Sequence, residues 1–247
     1  MTLTLTRVAH STTLLDFDGH AILTDPWYSE KPGYYHGEPY GIALADLPRL
    51  TGVVVSHGHY DHYDMVSFAG YRDKTVSIAV KTGMAAAALQ AGFQNVTELE
   101  PWQTVQLGPV KVTATPGAHS VPEICYVLES SGYTVFFGGD SLYIPGLNEV
   151  AQRFPHIDLA LLPVNGLKVR PLLNRKIVMS AEDAADLCSV LKPRVAVPIH
   201  YRFTAGFVRD RVLLKYDGTP QRFASAVARR AANTSVRILD PGEPLSI

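Results

Sequence analysis

The sequence is poor in cysteine: its 247 residues include two, Cys125 and Cys188, far apart and each within an apolar pattern. Buried free thiols fit that placement better than a disulfide framework. There is no apolar run near the roughly 20 residues needed to span a bilayer, which excludes a transmembrane helix as the reading. The opening residues, Thr2-Leu3-Thr4-Leu5-Thr6-Arg7, alternate like a strand and lack the basic-then-apolar order of a signal peptide, so a soluble cytoplasmic protein is expected. Neither sign of charge is in excess: 22 Lys and Arg face 23 Asp and Glu, a net charge of −1, and no block of like charge stands out. That argues against nucleic acid or an anionic membrane as the main partner and leaves a small-molecule substrate. No low-complexity linker or short repeat divides the chain, so one domain over 1–247 is expected, with self-association left open.

What is present is a succession of short strands with helices between them. Residues 2–8, 12–17 and 21–24 are β-rich, with Asp18-Gly19 as a hairpin turn. Residues 26–48 form a long connection rich in Pro, Gly and Tyr, a length that is usually functional or mobile. Gly52-Val53-Val54-Val55-Ser56 is a wholly apolar strand of the kind buried on both faces. Further strands are expected at 76–80, 96–99, 104–107, 110–115, 124–129, 133–137, 159–162, 195–199 and 235–239. Helices are expected from a Thr82 cap to Gln90, near 146–153, from the capping-box-like Ser180-Ala181-Glu182-Asp183 to Leu191, and over 221–231. The run Ala85-Ala86-Ala87-Ala88 reads as closely packed helix filler. A four-layer α/β/β/α sandwich, two mixed sheets face to face with helices outside, accommodates this order, although the order alone does not select it.

The chemistry concentrates after the apolar strand, in His57-Gly58-His59-Tyr60-Asp61-His62. Alternate side chains of an extended segment point the same way, so His57 and His59 can converge on one ion. Asp61 and His62 then turn the corner toward a second. Imidazole and carboxylate both bind a borderline divalent metal, and two ions about 3.5 to 4 Å apart can hold a bridging hydroxide. Four residues do not complete two ions. His119, Asp140 and His200 each end a strand-like segment, in Pro116-Gly117-Ala118-His119, Phe137-Gly138-Gly139-Asp140 and Val197-Pro198-Ile199-His200. Each taken singly also reads as an ordinary loop residue; together they supply the missing ligands.

In these motifs and their order the chain resembles the metallo-β-lactamase superfamily over nearly its whole length. The resemblance implies that His57, His59 and His119 bind the first ion, that Asp61, His62 and His200 bind the second, and that Asp140 bridges them. The segments Val8-Ala9-His10-Ser11-Thr12-Thr13-Leu14-Leu15, Ile22-Leu23-Thr24-Asp25-Pro26 and Met179-Ser180-Ala181-Glu182-Asp183-Ala184 are similar to the branch of ascorbate-phosphate lactonases and N-acyl-phosphatidylethanolamine phospholipase D. Ser141 follows Asp140 where Thr is commoner, a neutral change because only the carboxylate ligates. His59 stands where the diiron oxidoreductases of the superfamily carry a carboxylate, and an all-nitrogen first site favours zinc, ahead of manganese or nickel, over redox iron.

The function expected is therefore that of a binuclear hydrolase. A metal-bridging hydroxide cleaves a small ester-type substrate, lactone or phosphodiester, and Asp61 and His200 are the catalytic candidates. An RNA- or DNA-processing nuclease and a non-catalytic metal sensor are the competing readings. The first is disfavoured by the charge balance and the second by the full set of seven ligands. Substrate contacts are expected from His10, Tyr60, Tyr63, Asn165, Tyr201 and Arg202, with Lys168, Arg170 and Arg175 available beside Arg202 for an anion clamp. Asp64 is placed to hydrogen-bond a ligating histidine. The aromatics Trp27, Tyr28, Tyr34, Tyr35, His36 and Tyr40 either cover the mouth of the site or pack on their own domain.

Overall fold

The computed structural model describes residues 2–247; Met1, included in the expected 1–247 domain, lies outside the described residues. Two seven-stranded mixed sheets lie face to face. The first runs, edge to edge, through Pro244–Ser246, Leu3–Ala9, Thr12–Phe17, His20–Thr24, Leu50–Val55, Ser77–Lys81 and Asn95–Leu99. Its early strands pair antiparallel, and it turns parallel from His20–Thr24 onward. The second sheet contains Ser235–Val236, Val195–Ile199, Leu159–Pro163, Tyr133–Phe137, Ile124–Ser130, Val110–Pro116 and Thr104–Leu107, again part parallel and part antiparallel.

Side-chain alternation builds the layers. In the first sheet Val54 and Ala79 face the second sheet. Their neighbours Val53, Val55, Ile78 and Val80 face outward, onto Met65 and Phe68 of the helix Met65–Phe68 and Ala88 of the helix Ala85–Gln90. In the second sheet Leu159, Leu161, Val197 and Ile199 point inward. Ala160, Leu162 and Ala196 point outward, against Val150 of Asn148–Arg153, Ala184 and Leu187 of Ala181–Leu191, and Phe223 and Ala226 of Pro220–Arg230. Strands apolar on both faces are required by such a stack, because each is covered twice. The result is the α/β/β/α sandwich of two mixed sheets flanked by helices.

Several local expectations are corrected. Thr82 does not cap a helix: Thr82-Gly83 is a turn, with Gly83 at φ +92°. The helix starts at Ala85, whose N–H donates to Glu98 Oε1 at 2.8 Å. Ala86 and Ala87 are exposed and only Ala88 of that run is buried, so the run is not closely packed. The strand expected over 235–239 is confined to Ser235–Val236. A three-stranded sheet of Lys168–Val169, Arg175–Lys176 and Leu214–Lys215, and the helix Phe207–Val212, carry no period long enough to read from sequence. The box at Ser180 is formed as expected, with Asp183 Oδ2 accepting from Ser180 N at 2.8 Å and Ser180 Oγ accepting from Asp183 N at 3.3 Å.

Candidate metal centre

Five strands end at one rim of the sandwich. Leu50–Val55 runs into Ser56 and His57, and the backbone of His57 bridges Glu123 just before Ile124–Ser130. Ile124 N–H also donates to Ser56 O at 3.1 Å, so the two sheets meet here. The chain then folds on itself: the N–H groups of His62 and Tyr63 both donate to His59 O, at 3.1 and 2.9 Å, which brings Asp61 and His62 back over His57. His119 follows Val110–Pro116, Asp140 follows Tyr133–Phe137 and His200 follows Val195–Ile199.

All seven donors converge in two adjoining groups. In the first, His59 Nδ1 lies 3.0 Å from His57 Nε2 and 3.2 Å from His119 Nε2. In the second, Asp140 Oδ2 lies 2.7 Å from His200 Nε2 and 3.2 Å from His62 Nε2. Asp61 Oδ2 stands 3.8 Å from His62 Nε2 and 4.0 Å from His200 Nε2. His57, His59 and His119 form one cluster, and Asp61, His62, His200 and His10 another, in each of which every residue offers a ligand atom within 4.8 Å of the others. His62 with His57 and Asp140 forms a third, linking the two.

The donors are aimed by a layer of buried partners. Asp25, at the end of His20–Thr24, accepts from His62 Nδ1 at 2.6 Å and from both Ser56 N and Ser56 Oγ at 2.7 Å. Ser56 Oγ lies 2.9 Å from His57 Nδ1. His119 Nδ1 donates to the carbonyl of Ile177 at 2.6 Å, which fixes its tautomer and presents Nε2 inward. Glu123 Oε1 accepts the N–H of Asp140 at 2.6 Å. Sequence reasoning did not assign Asp25 or Glu123 to the site; the available signal was a carboxylate at the tip of an apolar strand, where burial demands a partner.

Backbone strain collects here too. His10, Asp25 and His200 have φ of +54°, +36° and +56°, each in the left-handed region that non-glycine residues occupy at a cost of about 1–3 kcal/mol. Gly139 shares that conformation at φ +52°, and a Cβ there would sit 2.5 Å from Glu123 Oε1 and 2.8 Å from Ser56 Cβ, so only glycine fits beside Asp140.

The electrostatics fit a cation. Burial holds His57 well below the ordinary histidine value, and it lowers His59 and His119 as well, leaving neutral imidazoles with free lone pairs. Burial opposes charge on His62 also, yet Asp140, Asp25 and Asp61 around it hold its pKa well above the usual value. Three carboxylates therefore favour positive charge at this spot. Buried Asp140 Oδ1 has no hydrogen-bond partner among the described residues, an expensive arrangement for a core unless another group satisfies it. Three imidazole nitrogens on one side and a mixed nitrogen and oxygen set on the other suit borderline divalent metals.

Above the donors opens a cavity of about 310 Å³. His59, Asp61, His119, Asp140 and His200 form its floor; Leu167, Ile177, Phe203, Leu213 and Leu214 wall one side; Gly33, Tyr34 and Arg209 stand at the mouth. None of the six residues expected to contact substrate lines it. His10 is fully buried behind the second group, its Nε2 3.4 Å from Asp61 Oδ2 and its ring 4.1 Å from that of His200. Tyr60 turns its hydroxyl to Ser29 Oγ and lies under Lys31 Nζ, 3.7 Å from the ring centroid. Tyr63 points to the opposite side, donating to Met84 O at 2.9 Å and accepting from Ala88 N at 3.1 Å. Asn165 is buried in a turn, its Oδ1 accepting from Leu167 N at 3.1 Å. Tyr201 and Arg202 line a separate polar cleft with Arg7 and Thr219.

The expected anion clamp is not assembled either. Lys168 pairs with Asp217 at 2.5 Å, Arg170 Nε donates to Leu214 O at 2.8 Å and Arg175 is exposed on the small sheet. Among the described residues Asp64 touches none of the clustered histidines. It accepts from Tyr28 N at 3.1 Å, Ser29 Oγ at 2.7 Å and Ser67 N at 3.1 Å, which ties the 26–48 connection to the cap of Met65–Phe68. Within that connection Trp27 and His36 are buried and stacked at 3.6 Å, and Tyr35 bridges Thr204, so most of it packs on its own domain. Tyr34 alone of those aromatics reaches the cavity.

A four-layer sandwich with five histidines and two aspartates gathered at one rim defines the metallo-β-lactamase fold. The chain belongs to the family described as the beta-lactamase superfamily domain, whose model matches residues 20–201. Its relatives include a UPF0173 metal-dependent hydrolase of Deinococcus radiodurans, 26% identical over 251 residues and covering 98% of each chain. An uncharacterized protein of Mycobacterium tuberculosis is 27% identical over 175 residues, covering 63% of this chain; the chain spans 46% of that relative's length. Among solved structures, a metallo hydrolase from Ignicoccus hospitalis superposes with a TM-score of 0.78 at 22% identity, covering 100% of this chain and 99% of that one. An isothiocyanate hydrolase from Delia radicum gut bacteria gives 0.76 at 19% identity, covering 98% of each. These two likenesses establish the shared fold. No helix among the described residues is long and apolar enough to cross a membrane. The similarity to the lactonase and phospholipase branch finds no counterpart among these relatives.

Proposed function

We propose that the chain is a metal-dependent hydrolase holding two divalent cations, zinc by preference, and acting on a small ester-type substrate such as a lactone or phosphodiester. The observation that carries this reading is Asp140 Oδ1, buried, without a partner among the described residues, and set with the other clustered donors at the floor of a cavity. His57, His59 and His119 would hold one cation; Asp61, His62 and His200 would hold the other, with Asp140 between them. When bound, such ions supply Lewis-acid polarisation of the scissile carbonyl or phosphoryl oxygen and acidify water to near neutrality.

The chain's own groups do the rest. Asp61 is held ionised against its burial by His62 and His10, so its Oδ2 is available at the cavity floor to orient water or accept a proton. His200, in contact with Asp140 and lining the cavity, is the second side chain assigned a catalytic role here. Leu167, Ile177, Phe203 and Leu214 give one side an apolar wall, which lowers the local polarity and strengthens the charge interactions inside.

Metal analysis of purified protein, followed by assay against bis-p-nitrophenyl phosphate, simple lactones, thioesters and a β-lactam, tests the proposal. About two equivalents of cation and turnover of one ester class are expected, with turnover abolished in Asp61→Ala. Full turnover by Asp61→Ala at full metal occupancy would refute the role given to Asp61, and failure to bind any cation would refute the whole reading.

A further inference from the structure

The geometry points to Arg209 as an anion-binding residue that makes this cavity selective for substrates with a negatively charged group beyond an apolar body. The inference rests on the hydrolase reading for the identity of the site and adds the substrate's chemical class.

Arg209 is the only lysine or arginine among the residues lining the cavity. It projects from the helix Phe207–Val212 across the mouth, where Nη1 donates to a single neutral acceptor, Pro32 O, at 3.3 Å. Among the described residues no carboxylate pairs with it, whereas Arg7, Arg153 and Arg222 each hold an acidic partner at 2.7, 2.6 and 2.7 Å. The neighbouring carboxylate on its own helix, Asp210, is already committed: it accepts from Thr204 Oγ1, from Ala205 N at 2.9 Å and from Tyr216 Oη at 2.8 Å. The passage that lets the guanidinium reach the mouth is made by Gly33, where a Cβ would fall 1.9 Å from Arg209 Nη1. Tyr34, the next residue, also lines the mouth.

Between this guanidinium and the histidine floor the wall is apolar, formed by Phe203, Ala205, Leu213 and Leu214. A substrate that spans the cavity therefore meets metal-ligating groups at one end, hydrocarbon in the middle and an unpaired, bidentate-capable cation at the other. Such a fork matches a carboxylate or phosphate better than any neutral group. An ester with a short alkyl or aryl body and a terminal carboxylate or phosphate has the matching order of groups.

Two measurements test this together. The first compares kcat/KM for the 4-nitrophenyl monoester of adipate with that for 4-nitrophenyl hexanoate, of equal chain length and lacking the charge. Wild-type protein is expected to favour the anionic ester, and Arg209→Met to lose that preference by about tenfold, the scale of one charge-assisted contact. Arg209→Lys should retain part of it, and Arg211→Met, a cation of the same helix outside the cavity, all of it. The second measures binding of hexanoate against hexanamide by calorimetry on metal-free protein, which needs no turnover. The anion preference should again vanish in Arg209→Met alone. Equal preference in wild type and Arg209→Met, in either measurement, overturns the assignment. If neither ester is hydrolysed by metal-loaded protein while hexanoate still binds through Arg209, the hydrolase reading fails on these esters and the anion site stands.

Discussion

Replacing Gly139 with alanine separates two costs that the structure assigns to one residue. The conformational cost is that of a side chain in the left-handed region, about 1–2 kcal/mol, and is shared by Gly83, whose φ is also positive but whose Cβ would meet nothing within 4 Å. The crowding cost belongs to Gly139 alone: the new methyl would press on Glu123 Oε1 at 2.5 Å and Ser56 Cβ at 2.8 Å, and overpacking of a tight interior adds about 1–3 kcal/mol. Gly83→Ala should thus lower stability by about 1–2 kcal/mol and Gly139→Ala by about 2–5 kcal/mol. For a chain of this length those losses correspond to roughly 2–8 °C and 4–20 °C in Tm. Only the second change also disturbs the site, because Glu123 Oε1 holds the Asp140 N–H at 2.6 Å. Loss of such an outer contact typically weakens metal binding about 10- to 100-fold. Differential scanning calorimetry of both variants, with zinc titrated into the chelated protein, reads all three quantities. Equal Tm values for the two variants, or wild-type zinc affinity in Gly139→Ala, would refute the crowding argument.

Asp25→Asn should keep the fold but weaken cation binding about 10- to 100-fold, since His62 Nδ1 loses the carboxylate that orients it; competition with a metallochromic chelator checks this. Glu38→Gln should cost about 3–5 kcal/mol in urea denaturation, because Arg7 is buried and its fork is met by both Glu38 oxygens at 2.7 Å. Asp183→Asn should cost about 1 kcal/mol at pH 7 by opening the capping box at the start of Ala181–Leu191. The Asp183 carboxyl lies below its ordinary value: burial works against ionisation, and hydrogen bonds from Lys176 and Ser180 outweigh it. Its stabilisation is therefore complete above the unfolded value near pH 4 and is lost as pH falls through the lower folded value, so the gap between wild type and Asp183→Asn should close on acidification and not on raising the pH.

The seven donors were legible because four crowd behind one apolar strand, Leu50–Val55, and His119, Asp140 and His200 each follow another, and strand ends in such a stack open on a common rim. Asp25, just after His20–Thr24, and Glu123, just before Ile124–Ser130, also stand at strand tips but lack a histidine beside them to draw attention. The pocket residues were not legible, for a definite reason. Tyr60, Tyr63, Tyr201 and Arg202 were assigned by adjacency to ligands, yet the chain folds back at His59 and rolls Tyr63 toward Met84, while Tyr201 and Arg202 fall into the neighbouring cleft. The actual wall comes from segments near 33, 167, 177 and 203–214, which meet through two-residue strands and a six-residue helix. Elements that short have no period to detect; their position is set by tertiary contacts such as the Tyr35–Thr204 bridge.

The donors are divided between the two sheets. His57, His59, Asp61 and His62 hang from the first and His119, Asp140 and His200 from the second, with the His57–Glu123 bridge as a suture. A sliding of one sheet over the other would leave the ladders within each sheet intact, strain the Ile124 N–Ser56 O bond between them and change the spacing of the cage. The caliper that sets this spacing is the hydrocarbon between the layers, Val54 and Ala79 against Leu161 and Val197 among others. A methylene gained or lost there, at side chains outside the donor set, would be read out as altered grip on a cation.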